Sequence, residues 1–287
     1  MTAVFALATS LLWGLADFGG GMLTRRSPAL TVVVVSQTIA AAVLGVVVVA
    51  SSAWTQADAR LWYAVAAGVV GPVAMLCFYR ALSLGPMGVV SPLGSVGVAV
   101  PVGIGLLLGE RPGPVQAFGI LLAVAGVVLA GGPQLRGAPV QRQTIMLTLV
   151  AAFGFGAVMV LIAESSSTLT GLFLALFVQR LTNVVVGGAA LAVSVRRGAA
   201  ALPAEGVRVL WSALPALAFV GLADVAANGS YALAARSGPV TVAAVLASLY
   251  PVITALAARG VLKERLLGVQ TTGAAIALFG TLLLASG

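Results

Sequence analysis

"ERPGPVQAFGILLAVAG" occupies residues 110–126, and "ERLLGVQTTGAAIALFG" occupies residues 264–280. Aligned without gaps at a spacing of 154, the two stretches agree at seven of 17 positions: Glu, Arg, Val, Gln, Gly, Ala and Gly. Glycine-rich apolar segments match one another cheaply, but Glu-Arg and Gln are scarce in this chain. Their recurrence argues for an internal duplication. Upstream, Gly85-Pro86 is echoed by Gly238-Pro239, and Tyr79 by Tyr231.

The duplicated unit belongs to a membrane. A soluble domain carries about 25% charged residues, whereas this chain of 287 residues has 8% charged and 61% hydrophobic residues. No charge falls between Arg26 and Asp58, between Arg80 and Glu110, between Arg111 and Arg136, or after Arg265. Each gap holds one or two spans of ~20 residues. The net charge of +8 does not imply a nucleic-acid partner, because the basic residues lie between apolar runs and form no patch. One cysteine, Cys77, forms no intrachain disulfide, and there is no histidine to serve as base or metal ligand. No metal or cofactor is expected.

Hydrophobic runs read against turn signals predict ten spans: 3–23, 30–50, 61–82, 89–108, 115–131, 144–163, 169–195, 210–233, 240–258 and 266–286. Residues 1–22 lack a basic leader and read as the first span. Barrel strands would alternate in segments of ~10 residues, and that pattern is absent. The fold class is therefore all-α integral membrane. Residues 1–133 and 144–287 form two five-helix repeats joined by a linker loop at 134–143. An odd number of spans turns the second repeat over, which makes a 5+5 inverted-topology repeat. Loops 1, 5, 7 and 9 hold ten basic residues and the even loops three. The positive-inside rule then places both termini outside the cytoplasm.

Trp13-Gly14 in span one, a proline in spans four and nine, and the two "ER…Q..G" segments resemble the EamA-type branch of the drug/metabolite transporter superfamily. The resemblance covers essentially the whole chain. It implies ten helices in a 5+5 inverted repeat, and export or exchange of small metabolites such as amino acids or drug-like solutes. It also implies a multi-pass protein of a bacterial inner membrane. One departure is Phe-Gly-Phe-Gly at 153–156, where the first half has Trp-Gly.

Three ionisable residues lie well inside spans: Asp17, Arg180 and Asp224. Each costs about 2.5–3.5 kcal/mol on insertion scales, and such residues face the bundle interior. Arg180 and Asp224 lie about two residues, roughly 3 Å, from the centres of antiparallel spans, so an ion pair between them is expected. Asp17 lies about four residues, roughly 6 Å, from its own centre on the inner side. Trp13 and Asp17 share a helix face, as do Gln179 and Asn183 beside Arg180. Asp224, Asn228 and Tyr231 form an i, i+4, i+7 stripe. Such stripes suit a cavity wall. They also suit helices tied together by buried hydrogen bonds.

Asp17 is left without an obligatory partner once Arg180 is used. It is expected to meet a cation: a proton, a substrate amine or Arg180 itself. Small multidrug-resistance proteins, distant members of the same superfamily, also place an acid in their first helix, which is an analogy. Pro101 and Pro251 free backbone carbonyls that can line a cavity, and Tyr250 could stack on a substrate. Glu110 and Glu264 read as helix-end caps.

The expected function is secondary transport of a small organic solute by alternating access, with possible proton coupling. The alternatives are a channel, a structural membrane protein or, less well supported, a membrane-embedded enzyme. Against an enzyme stands the lack of any nucleophile–base constellation. Against an ATP-driven pump stands the lack of a Walker-A sequence. The expected partners are the solute and the lipid bilayer, and no oligomeric state follows from the sequence.

Overall fold

The computed structural model describes residues 1–24, 26–84, 94–130, 142–204, 206–262 and 268–286, and among these all regular structure is helical. In chain order the helices are α1 (Thr2–Thr24), α2 (Ala29–Ala50), α3 (Leu61–Leu84), α4 (Ala99–Leu107), α5 (Pro114–Ala130), α6 (Arg142–Glu164), α7 (Leu169–Arg196), α8 (Val207–Ser212), α9 (Leu214–Arg236), α10 (Val240–Ala247), α11 (Tyr250–Leu262) and α12 (Gly268–Ser286). Short 3-10 turns cover Ala53–Gln56 and Ser95–Val98. Six of the described helices, α1, α2, α3, α6, α7 and α9, are each long and apolar enough to cross a membrane.

Proline sets several helix starts. Pro28 and Pro239 immediately precede α2 and α10, and Pro114 opens α5. Its missing N–H costs nothing in a first turn, where no partner exists. Thr168 caps α7 by accepting the Gly171 N–H at 3.0 Å.

Two expected spans are not single helices. Residues 95–107 join a 3-10 turn to α4, and α10 stops at Ala247 before α11 starts at Tyr250. The break in the latter precedes Pro251. A proline at the second position of α11 leaves the Ala247 carbonyl without its i+4 donor, so the helix ends there and restarts.

The packing maps onto itself when the halves are exchanged. α5 packs on α12, and α2 on α7. The pairs α3·α6 and α9·α1 correspond, as do α3·α7 and α9·α2. The detail is reciprocal as well. A Cβ on Gly126 would lie 2.2 Å from the Ala277 nitrogen, and a Cβ on Gly280 would lie 2.5 Å from the Ala123 nitrogen. The same glycines abut the carbonyls of Gly273 and Gly119 at 2.7 and 2.8 Å. These helices therefore touch backbone to backbone and run antiparallel.

Close approaches elsewhere fix the other equivalences. Gly68 of α3 meets the Gln179 carbonyl of α7, and Gly221 of α9 meets the Ser36 carbonyl of α2. Arg180 thus corresponds to Gln37. Gly14 meets Tyr250 and Ile253, while Gly156 meets Gly97 and Val100. Trp13 accordingly corresponds to Phe155. The Trp13–Tyr231 ring pair is matched by Phe155–Phe78, so the counterpart of Tyr231 is Phe78 and not Tyr79.

Candidate functional site

Helices α1, α2, α7 and α9 converge on one polar cluster. Arg180 is 1% exposed and its Nη1 lies 2.5 Å from Oδ2 of Asp224, the ion pair expected from their common depth. The same nitrogen donates to Gln37 Oε1 at 2.6 Å. Asp224 accepts further bonds from Trp13 Nε1 at 3.2 Å, Gln37 Nε2 at 3.1 Å and Asn228 Nδ2 at 3.0 Å. Asn183 Nδ2 closes the cluster onto Gln37 Oε1 at 3.2 Å. Asp224 is met by four side chains, which offsets part of the cost of burying the pair.

Gln37 was not among the residues singled out from the sequence. It is uncharged and sits in an apolar run, so the charge-spacing argument passed over it. Its signal was a glutamine inside an otherwise hydrophobic span, the same kind of signal as Gln179. The helix-face pairing of Trp13 with Asp17 holds in register, but the Trp13 indole bonds Asp224 instead.

Aromatic rings wall one side. Trp13 stacks on Tyr231 with centroids 6.2 Å apart and meets Tyr250 edge-on at 6.1 Å. Tyr231 is fully buried, and its hydroxyl has no partner among the described residues. Gln179 does not join the cluster: its Oε1 is buried without a partner, and its carbonyl faces Gly68.

Asp17 stands apart. It makes no hydrogen bond or ion pair among the described residues, and it is exposed. Its exposure is not toward lipid. The outward stripe of α1 is Val4, Leu7, Leu11 and Met22. At about 100° per residue, Asp17 points about 120° away from that stripe, between the directions of Ala6 and Ser10. Those two are 0% and 2% exposed. An exposed carboxylate on the buried face marks a recess. Gly21, one turn on, is also exposed, with nothing within 4 Å of a Cβ position.

Side-chain caps tie the helices together at the opposite end of α1. Glu110 accepts the N–H groups of Val240 and of Thr241 (2.9 Å for the latter), so an acid of the first half caps helix α10 of the second. This gives the first "ER" its role; Glu264 lies outside the described residues. At the same end Arg236 donates to the Ser167 and Thr168 carbonyls, and Arg60 pairs with Glu164 at 3.5 Å.

The sequence matches the EamA-like transporter family over residues 1–132 and again over 142–286. The chain belongs to that family. It is thus a membrane transporter by family, with the same unit matched twice. No curated protein matches the sequence. A solved structure titled only "Crystal structure of protein" is similar in fold, with a TM-score of 0.73 at 18% identity over 98% of this chain and 95% of that one.

Proposed function

We propose that this EamA-family chain is a secondary active transporter that exports or exchanges small organic solutes by alternating access, with proton coupling through Asp17. The observation that carries the reading is the unpaired carboxylate of Asp17 in a recess beside an already neutralised Arg180–Asp224 pair. Two acids and one base leave one acid free to exchange its cation. A structural tie would be paired and sealed, whereas Asp17 is neither.

The architecture in this reading is ten spans, with the short helices of 95–107 and 240–262 each crossing as a broken span. Residues 1–133 and 144–287 are the repeats and 134–143 the linker. The reciprocal antiparallel contact of α5 with α12 supports inversion. A two-fold axis relating antiparallel helices lies perpendicular to them, hence in the plane of the membrane they cross. The loop charges put the C-terminal end of α1, with exposed Asp17 and Gly21, on the cytoplasmic side, which suits a state loading solute for export. A bacterial inner membrane is the proposed location.

The test is uptake into proteoliposomes with and without an imposed pH gradient, for wild type and Asp17→Asn. The substitution keeps shape and removes charge. It is expected to leave folding intact and abolish gradient-driven transport. Full gradient-driven transport by the variant would overturn the role of Asp17.

A further inference from the structure

We infer that the Nε/Nη2 edge of Arg180 is a docking point for a carboxylate of the transported solute, approached from the Gly71 side; this rests on the transport reading above. In a guanidinium, Nε–H and one Nη2–H point the same way and form the fork that takes a carboxylate through two parallel bonds. In Arg180 both nitrogens are buried with no partner among the described residues. Only Nη1 is used, by Asp224 and Gln37. A guanidinium that is 1% exposed with its fork unmet is an open demand for two acceptors.

The duplication says where the acceptor belongs. Arg180 and Gln37 are counterparts that bond each other, so they sit beside the pseudo-two-fold axis. Asp224 reaches this pair from α9. At the spacing that equates Gly221 with Gly68, the counterpart of Asp224 is Gly71 on α3. The fold thus has two mirrored approaches to Arg180, one filled by a protein carboxylate and the other left without a side chain. Gly71 is partly accessible, and a Cβ there would touch Asn183 Oδ1 at 3.4 Å with Val158 next at 4.0 Å.

The other groups refine the ligand. Asn183 Oδ1 and Gln179 Oε1 are buried acceptors without partners. They suit an N–H or O–H donor adjacent to the carboxylate. Phe78 lies seven residues on from Gly71, on the same face of α3, and meets Phe155 edge-on at 5.8 Å; these rings are the apolar counterparts of Tyr231 and Trp13. Asp17, Asp224 and Arg180 together total one negative charge. A dianionic phosphate would add two negative charges to that excess, a simple carboxylate one, and a carboxylate carrying its own cation none.

The experiment inserts the missing acid. Gly71→Asp should place an intramolecular carboxylate on the fork, and Gly71→Asn gives the same bulk next to Pro72 without charge. In detergent, Gly71→Asp is expected to melt several degrees above Gly71→Asn. In proteoliposomes preloaded with phenylalanine, 3-phenylpropionate, phenylphosphate or phenethylamine, wild type should favour the carboxylates, and Gly71→Asp should lose that preference at least tenfold. Arg180→Lys, which keeps the charge but not the fork, should raise KM for the carboxylates more than it lowers kcat. Equal melting of the two Gly71 variants, or preference for phenethylamine or phenylphosphate, would overturn the docking site while leaving transport standing. Absence of transport of every probe by wild type, with Gly71→Asp still stabilised over Gly71→Asn, would count against the transport reading and not against the fork.

Discussion

Asp224→Asn is the substitution whose cost the structure sets most directly. Two oxygens of Asp224 accept four side-chain donors: Trp13 and Asn228 on Oδ1, Gln37 and Arg180 on Oδ2. Asparagine keeps one acceptor oxygen and turns an NH2 toward two of those donors. It also strands Arg180, whose side chain is 2% exposed. Removing one partner of a buried pair costs about 3–5 kcal/mol. Asp224 itself is 25% exposed, so water can reach part of the gap and the lower figure applies. At about 2–4 °C per kcal/mol for a chain of this size, about 3 kcal/mol lowers the melting midpoint by roughly 6–12 °C.

The assay is thermal unfolding of purified protein in one detergent at one heating rate, since unfolding of such proteins is irreversible and the midpoint depends on rate. The decisive arm is the double variant. Arg180→Met removes the stranded cation and replaces it with an apolar chain of similar reach. In the Asp224→Asn background it should recover about half of the loss or more, because the penalty belongs to the unpaired charge and the two sites couple. Wild-type melting of Asp224→Asn would refute the reasoning. So would a further drop in the double variant, which would mean that Arg180 is held chiefly by Gln37 and not by the acid.

The reciprocal glycine contacts predict reciprocal damage. Gly126→Ala and Gly280→Ala each press a methyl into backbone at 2.2–2.5 Å and should each cost about 1–3 kcal/mol in the same melting assay, whereas Gly21→Ala, with open space around it, should be neutral or stabilising. A large cost at only one of the pair would break the symmetry of the α5/α12 contact. For orientation, a fluorescent reporter that matures only in the cytoplasm should stay dark when fused after Gly287, and bright signal from inserted protein would reverse the assigned topology.

Sequence alone showed the long spans, because an uninterrupted apolar run of about 20 residues has few other uses. It also pointed to the Arg180–Asp224 pair, because helical rise puts the two at a common depth, while leaving Asp17 as a second acid within reach. It did not show the break at Ser248–Leu249, where no glycine or proline stands; the cause is Pro251, acting back on the carbonyl four residues before it. Outside the fifth spans it matched Gly85-Pro86 with Gly238-Pro239 and set Trp13-Gly14 against the Phe-Gly pairs of 153–156, but it gave Gln37 no counterpart and mismatched Tyr231. The repeat spacing is 154 between Gly126 and Gly280, 153 between Gly68 and Gly221, 143 between Gln37 and Arg180, and 142 between Gly14 and Gly156. Loops of different length shift the register. Matching tyrosine to tyrosine pairs Tyr79 with Tyr231 at a spacing of 152, whereas the local spacing of 153 puts Phe78 in that place.

With that register corrected, the duplicated residues separate by role. Small residues at helix crossings occur in both halves: Gly14 and Gly156, Gly68 and Gly221, Gly126 and Gly280. Their task is close packing, and a two-fold fold needs it twice. The polar cluster occurs once. Asp224 faces Gly71 across the axis, Tyr231 corresponds to Phe78, Trp13 to Phe155, and Arg180 to Gln37. At the spacing of Gly14 and Gly156, Asp17 corresponds to Met159. Packing explains what the halves share and gives no reason for where they differ. Arg180 and Gln37 are both polar and bond each other; each of the other differences puts charge or hydrogen bonding on one lobe of the central region and an apolar or absent side chain on the other. In the proposed transport reading, a symmetric hinge around an asymmetric lining opens to either side of a membrane while presenting the same order of contacts, which suits a solute with a polar end and an apolar end. The candidate residues are therefore the ones that break the repeat, and each can be tested by restoring its counterpart.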